Sequence, residues 1–212
     1  FENLDYFENP DKILRNGLTP LMYEIDQESS NKNFKRMIKN SANLEIPDFI
    51  FKKTALIHAI EKGNYKIVEL LLKNGANPNT KYTSQHLQSP SFKKNPVLIL
   101  DKNALGKAIG RENNKIIELL LEYGADLTQP DDNYKSFRYA IEQQDKQLIK
   151  LLLEKGGDIN KPDEKGNLII DEALDMYNIW DDDRFSIFKL LIENGMNINV
   201  DSSRHAYDEK QT

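Results

Sequence analysis

The sequence predicts an all-α solenoid of about five stacked helix-turn-helix repeats, and three observations carry that prediction. First, a central alanine and a closing glycine recur as a pair: Ala59 with Gly75, Ala108 with Gly124, Ala140 with Gly156, and Ala173 with Gly195. The spacing is 16 residues in the first three copies and 22 in the last, which therefore holds six extra residues. Second, an apolar run superimposes between each pair: Ile67-Val68-x-Leu70-Leu71-Leu72, Ile116-Ile117-x-Leu119-Leu120-Leu121, Leu148-Ile149-x-Leu151-Leu152-Leu153 and Ile187-Phe188-x-Leu190-Leu191-Ile192. This is the pattern of a short helix with one buried face. Third, each run stops at a glycine, the residue that suits a left-handed helix terminus. A degenerate earlier copy opens at Gly17-Leu18-Thr19-Pro20-Leu21-Met22 and closes at Ser41-Ala42-Asn43-Leu44.

Taken in order, residues 1–15 hold Phe1, Leu4, Tyr6 and Phe7 before a turn at Asn9-Pro10-Asp11. They are expected to cap the first repeat or to be the remnant of a preceding element. The array is expected to span 16–200, with repeats near 16–48, 49–79, 102–130, 131–162 and 163–199, insertions at 80–101 and 175–184, and a polar tail at 201–212. In the first repeat, helices are expected near Pro20 to Gln27 and Asn31 to Lys39. Pro20 suits an early helical position, where its missing N–H costs nothing. Phe34, Met37 and Ile38 would supply the buried stripe. The second repeat has Ala55 to Ile60, a break at Gly63-Asn64, and the Ile67 run. The third and fourth are regular in length. The fifth carries an insertion near Asp175 to Arg184, expected to lengthen the link between its helices. That insertion holds Trp180, the single tryptophan, followed by Asp181, Asp182 and Asp183. The aspartates read as an ordinary acidic helix start or as an acidic rim beside a tryptophan anchor.

The chain resembles ankyrin-repeat proteins over roughly residues 16 to 200. Their signature, T-P-L-H-x-A, stands here as Thr19-Pro20-Leu21-Met22 and Thr54-Ala55-Leu56-Ile57-His58-Ala59. It is eroded at Asn103 to Ala108 and Lys135 to Ala140. Their closing phrase stands as Gly75-Ala76-Asn77-Pro78-Asn79, Gly124-Ala125-Asp126-Leu127, Gly156-Gly157-Asp158-Ile159-Asn160 and Gly195-Met196-Asn197-Ile198-Asn199. The resemblance implies β-hairpin-like finger loops between repeats and a concave groove that binds a partner protein. The family's structural histidine would fall at Ile57, so His58 fills the variable slot that follows. That slot, implied to face the groove, holds Tyr23, His58, Lys107, Tyr139 and Glu172, with Arg111 a few residues on. Phe49-Ile50-Phe51 falls at a finger tip, where the usual turn glycine is absent. Two readings stand open there: an apolar anchor for a partner, or side chains folded back onto neighbouring helices. Thr80 to Asp101 reads as a long finger loop whose Val97 to Leu100 end packs at the base of the third repeat. Gln129 to Tyr134 reads as a short acidic finger. Asp163-Glu164-Lys165-Gly166 keeps the family's turn.

Composition narrows the function. Net charge is −5, which argues against nucleic acid, because phosphate binding needs clustered Lys and Arg. The chain has no cysteine, which removes disulfides, thiolate metal sites and cysteine catalysis. No run is long and apolar enough to read as a membrane span. The three histidines, His58, His86 and His205, have no metal-ligand spacing, and no nucleophile elbow or phosphate loop is present. No catalytic residue, cofactor or metal is expected, and the chain is not read as an enzyme. The favoured function is a protein-protein interaction scaffold, a cytoplasmic monomer, engaging its partner through Tyr23, Phe49, Ile50, Phe51, His58, Lys107, Arg111, Tyr139 and Trp180. The Lys-, Asn- and Ile-rich composition resembles ankyrin arrays that intracellular bacteria deliver as effectors, which would make the partner a host protein and the location host cytosol. Phe1 stands where an initiator methionine would, so the chain is expected to be part of a longer one. The alternative is therefore the targeting region of a larger effector or enzyme whose catalytic domain lies elsewhere. A self-associating structural module is the third reading.

Overall fold

The computed structural model describes residues 9–27, 31–39, 42–84, 87, 89, 102–128, 130–177 and 182–199, with side chains left aside at 31–33, 130–131, 175–177 and 182–184. The fold is all-α and built from successive helix pairs. It divides into two compact units, Phe1–Leu127 and Thr128–Thr212.

The first unit contains α1 (Pro20–Asp26), α2 (Asn31–Lys39), α3 (Ala55–Glu61), α4 (Tyr65–Lys73), α5 (Ala104–Ile109) and α6 (Asn114–Glu122). Each pair packs on itself, α3 packs on α1 and α5, and α4 packs on α6. The core is the apolar repeat of the sequence: Leu21, Ile25, Phe34 and Met37, then Leu56, Ile60, Val68 and Leu71, then Leu105, Ile116, Ile117 and Leu120, all buried. Each large side chain removed from water contributes about 1.5–3 kcal/mol before conformational entropy is set against it. Two-residue strands β1 (Lys81–Tyr82) and β2 (Lys102–Asn103) pair antiparallel, Lys81 opposite Asn103 and Tyr82 opposite Lys102. They close the base of the 80–101 insertion. The expectation for Val97 to Leu100 lies outside the described residues.

Local chemistry sets the helix ends. The side chains of Asn64 and Asn113 accept from the backbone N–H of Ile67 and Ile116 and so start α4 and α6; such a cap is worth about 1 kcal/mol. At the other end Gly75 lies at φ +88°, and the Ala76 N–H reaches back to the Leu71 carbonyl at 3.1 Å. Three described loops inside pairs also hold a left-handed residue. Gly63 supplies it at φ +68°, whereas Glu112 at +53° and Gln144 at +54° hold the equivalent place with side chains.

Neighbouring copies are stitched by polar side chains at each copy's end. Asn79 Nδ2 donates to the Gly124 carbonyl at 3.1 Å, and its Oδ1 accepts from the Asp126 N–H at 2.7 Å. Glu45 accepts from the Asn77 N–H at 2.9 Å. In the second unit Asn160 does the same with Gly195 and Asn197, at 2.9 and 2.8 Å. These bonds satisfy backbone groups that the glycine turns leave open.

The second unit contains α7 (Pro130–Glu142), α8 (Lys146–Glu154), α9 (Ile169–Tyr177) and α10 (Asp182–Glu193). α7 packs on α8 and α9, and α9 on α10. Two expectations are corrected here. Gln129 to Tyr134 is not an acidic finger: α7 already begins at Pro130 and runs 13 residues. Pro130 pre-sets the first helical φ, and Asn133 and Tyr134 are buried on the helix. Asn133 exchanges two bonds with the Asp158 backbone at the end of its own copy, at 2.7 and 2.9 Å. The insertion near 175–184 does not chiefly lengthen a link. α9 continues to Tyr177 and α10 starts at Asp182, so most of the added residues extend the helices, with Asp182 and Asp183 in the first turn of α10.

Candidate interaction surface

The finger at Asp48 is built without glycine in its tip. Asp48 Oδ1 accepts from the backbone N–H groups of Ile50 and Phe51 at 2.9 and 2.7 Å. The Asp48 N–H donates to the Lys53 carbonyl at 2.7 Å. The same turn closes at Asp163, whose N–H bonds to the Asn167 carbonyl at 3.0 Å with Gly166 left-handed at φ +87°. The Asp48 turn is one residue longer, and Lys52, at φ +58°, occupies the left-handed place. This tip is held on both sides by main chain. The Phe49 N–H donates to the Gly17 carbonyl at 3.1 Å, while the Ile50 and Phe51 carbonyls accept from Leu87 and Thr83 at 3.1 and 3.0 Å. A Cβ at Gly17 would stand 2.8 Å from the Phe49 Cβ, so glycine is required there for the close approach as well as for φ +80°.

The three apolar tip residues therefore part company. Phe49 is 57% exposed, with the Lys52 ammonium 5.7 Å from its ring centre. Ile50 is half-buried, and Phe51 is half-buried with the Lys53 ammonium 4.6 Å from its ring centre. The fold-back reading holds for Phe51 in part, while Phe49 is exposed.

His58 is buried rather than presented on an open groove. Its Nδ1–H donates to Asp26 Oδ1 at 3.2 Å and its Nε2–H to Asp48 Oδ2 at 3.1 Å. Only the imidazolium can donate from both nitrogens. Burial opposes that charge, but the Asp48 hydrogen bond and the Asp26 carboxylate outweigh it and raise the His58 pKa above its ordinary value. Burial likewise opposes ionised Asp48, but His58 and the two backbone N–H groups hold its pKa below the usual carboxylate range. His58 thus ties α1, α3 and the finger together. It does not offer its ring to a partner.

One turn further along α3, Glu61 receives Lys53 at 2.9 Å and Lys107 at 2.7 Å. Lys107 also stands 5.2 Å from the centre of the Tyr82 ring, a cation–π arrangement. Burial opposes the charge on Glu61, but the two lysines lower its pKa; burial also opposes charged Lys107, and Glu61 and Tyr82 raise it.

Of the expected site residues, Tyr23 is 38% exposed, Lys107 half-buried and Arg111 exposed. These three, with Phe49 and Ile50, belong to the first unit. Tyr139, in the second, is 6% exposed and is covered because it lies on the packed side of α7. Beside it a separate cluster forms: the Tyr134 hydroxyl donates to Glu172 at 2.8 Å, and Arg138 bonds Glu142 at 2.8 Å. Burial and the Glu172 carboxylate push the Tyr134 pKa upward. Trp180 lies outside the described residues, as do Phe1, His86 and the 201–212 tail. Asp26, Asp48 and Lys53 are the residues of this network that the sequence reading misses; the 32-residue offset from Asp26 to His58, about one repeat, is the signal that pairs the first of them.

Among the described residues no cluster of histidine and carboxylates is arranged to hold a metal, and no helix is long and apolar enough to cross a membrane. A family model described as ankyrin repeats (3 copies) matches residues 2–82 and 85–163. In a comparison with curated proteins, none matches the chain.

Proposed function

The chain belongs to the ankyrin-repeat family, and on that premise we propose that it is a protein-binding scaffold whose first unit docks a partner on the finger and inner-helix face. Ankyrin repeats are in general protein-protein interaction modules. Phe49 carries the reading: a large aromatic residue, 57% exposed, on a turn fixed by main-chain bonds to both neighbouring segments. An exposed aromatic on a rigid support loses little conformational entropy on binding and is the usual kind of interface anchor. Tyr23, Ile50, Lys107 and Arg111 are the proposed surrounding contacts. His58 and Tyr139 are not, because both are buried.

Affinity capture from bacterial and eukaryotic lysates tests this, with the intact chain compared against a Phe49→Ala/Arg111→Ala variant. A protein retained by the intact chain and lost with the variant is the expected result. Capture undiminished by the two substitutions would remove this face from the account.

A further inference from the structure

We propose that the partner segment docked on the first unit is an acidic peptide carrying an apolar side chain, recognised by a basic rim around Glu61. This rests on the scaffold reading above and adds the partner's chemistry to it.

The chain as a whole carries −5, yet this rim is basic. Glu61 is already engaged by Lys53 and Lys107. Three more cations stand on the adjoining turns and hairpin. Lys62 follows Glu61 directly at the end of α3. Arg111 follows Gly110, the residue that ends α5, one turn beyond Lys107. The two loops adjoin, since a Cβ on Gly63 would lie 3.7 Å from Asn113 Nδ2. Lys102 is paired across the hairpin with Tyr82, whose ring faces Lys107. Lys62, Lys102 and Arg111 are all exposed, and none has a carboxylate partner among the described residues. Five cations against Glu61 and the exposed Glu112 leave a local excess of +3.

Exposed charges with no internal partner do not stabilise the fold, whereas opposite charge on a partner speeds encounter and fixes register. Phe49 and Tyr23 supply the apolar contact that charge alone lacks. A single-stranded nucleic acid carries a charge on every residue and needs an extended basic groove to track it, whereas this rim is a local cluster on a chain at −5, so a short acidic peptide is favoured.

A random-sequence displayed peptide library, selected against the full chain and against a Lys62→Glu/Lys102→Glu/Arg111→Glu variant, tests the proposal. Enriched peptides should cluster Asp and Glu beside an aromatic or aliphatic residue, and the charge-reversed variant should not retain them. The best peptide, followed by fluorescence anisotropy, should bind about tenfold more weakly at high salt, as expected for screened charge complementarity. Far-UV circular dichroism checks that the variant is folded; the single Lys62→Glu change, expected to weaken binding severalfold, is the fallback. Enrichment of neutral or basic peptides overturns the acidic class while leaving the scaffold reading standing. No enrichment over bare beads overturns both. A single-stranded oligonucleotide that binds more tightly than the best peptide also overturns the proposal.

Discussion

His58 joins three parts of the first unit through one ring, so its removal should be felt well beyond its size. His58→Ala leaves Asp26 and Asp48 facing each other without their cation, and is expected to cost about 2–4 kcal/mol at pH 6, read from urea denaturation. The raised His58 pKa makes its contribution complete below about 6.5, its ordinary value, and lost as pH rises through the folded-state value. Native protein should therefore lose stability on the alkaline side of that window, and His58→Ala should not show the same loss. Asp48 acts in the opposite sense. Its lowered pKa contributes stability above about 3.9 that disappears as pH falls through the folded-state value. A second residue-scale relation links Phe137 and Gly157. Phe137 fills the slot that Leu56 and Leu105 hold in other copies, and Gly157 stands where those copies have Ala76 and Ala125. A Cβ at 157 would meet the Phe137 ring at 2.9 Å and the Leu152 carbonyl at 2.8 Å. Gly157→Ala should cost about 1–3 kcal/mol through overpacking. Combined with Phe137→Leu, the double variant should cost less than the two singles together, by about 1 kcal/mol in a double-mutant cycle. Strict additivity would break this link.

At the scale of the element, the helices were legible because their causes are local. Pro20, the Asn64 and Asn113 caps, and the closing glycines each act within one turn, and α1 and α2 fall where the sequence places them. The fingers were less legible because their shape depends on neighbours. Nothing within Asp48 to Lys53 says that Gly17 and Thr83 will clamp the tip, and so which of Phe49 and Phe51 turns outward could not be read. Tyr139 aligns with Tyr23, yet it is buried where Tyr23 is 38% exposed, and spacing alone does not distinguish the two. Two of the described loops inside pairs, at Glu112 and Gln144, carry a testable strain. Glu112 holds a left-handed conformation that Gly63 holds freely, so Glu112→Gly should raise the thermal midpoint, with a gain of about 0.5–1 kcal/mol. A lower midpoint would mean that the Glu112 side chain contributes more than its backbone costs.

At the scale of the whole molecule, two compact units each carry helix pairs, and the proposed docking face lies on the first. The all-α fold followed from the periodicity that the copies repeat, and the family from the resemblance of the Thr54 to Ala59 and Gly75 to Asn79 motifs, which the family model bears out. The face did not, because it is made where copies differ: the Phe49 tip, the β1–β2 hairpin, and the basic ends of α3 and α5. The separate Tyr134, Arg138 and Glu172 cluster of the second unit is an ionic network, with Arg138 half-exposed and accordingly worth little in stability. The central claim is that a partner protein rests on the first unit's finger face. It is tested most directly by placing a photo-crosslinking amino acid at single positions and locating where a captured protein attaches. Positions 49 and 111 should crosslink to one common partner, while positions 35, 66 and 150, exposed on α2, α4 and α8, should not. Crosslinks concentrated at 35, 66 and 150, with none at 49 or 111, would contradict the account.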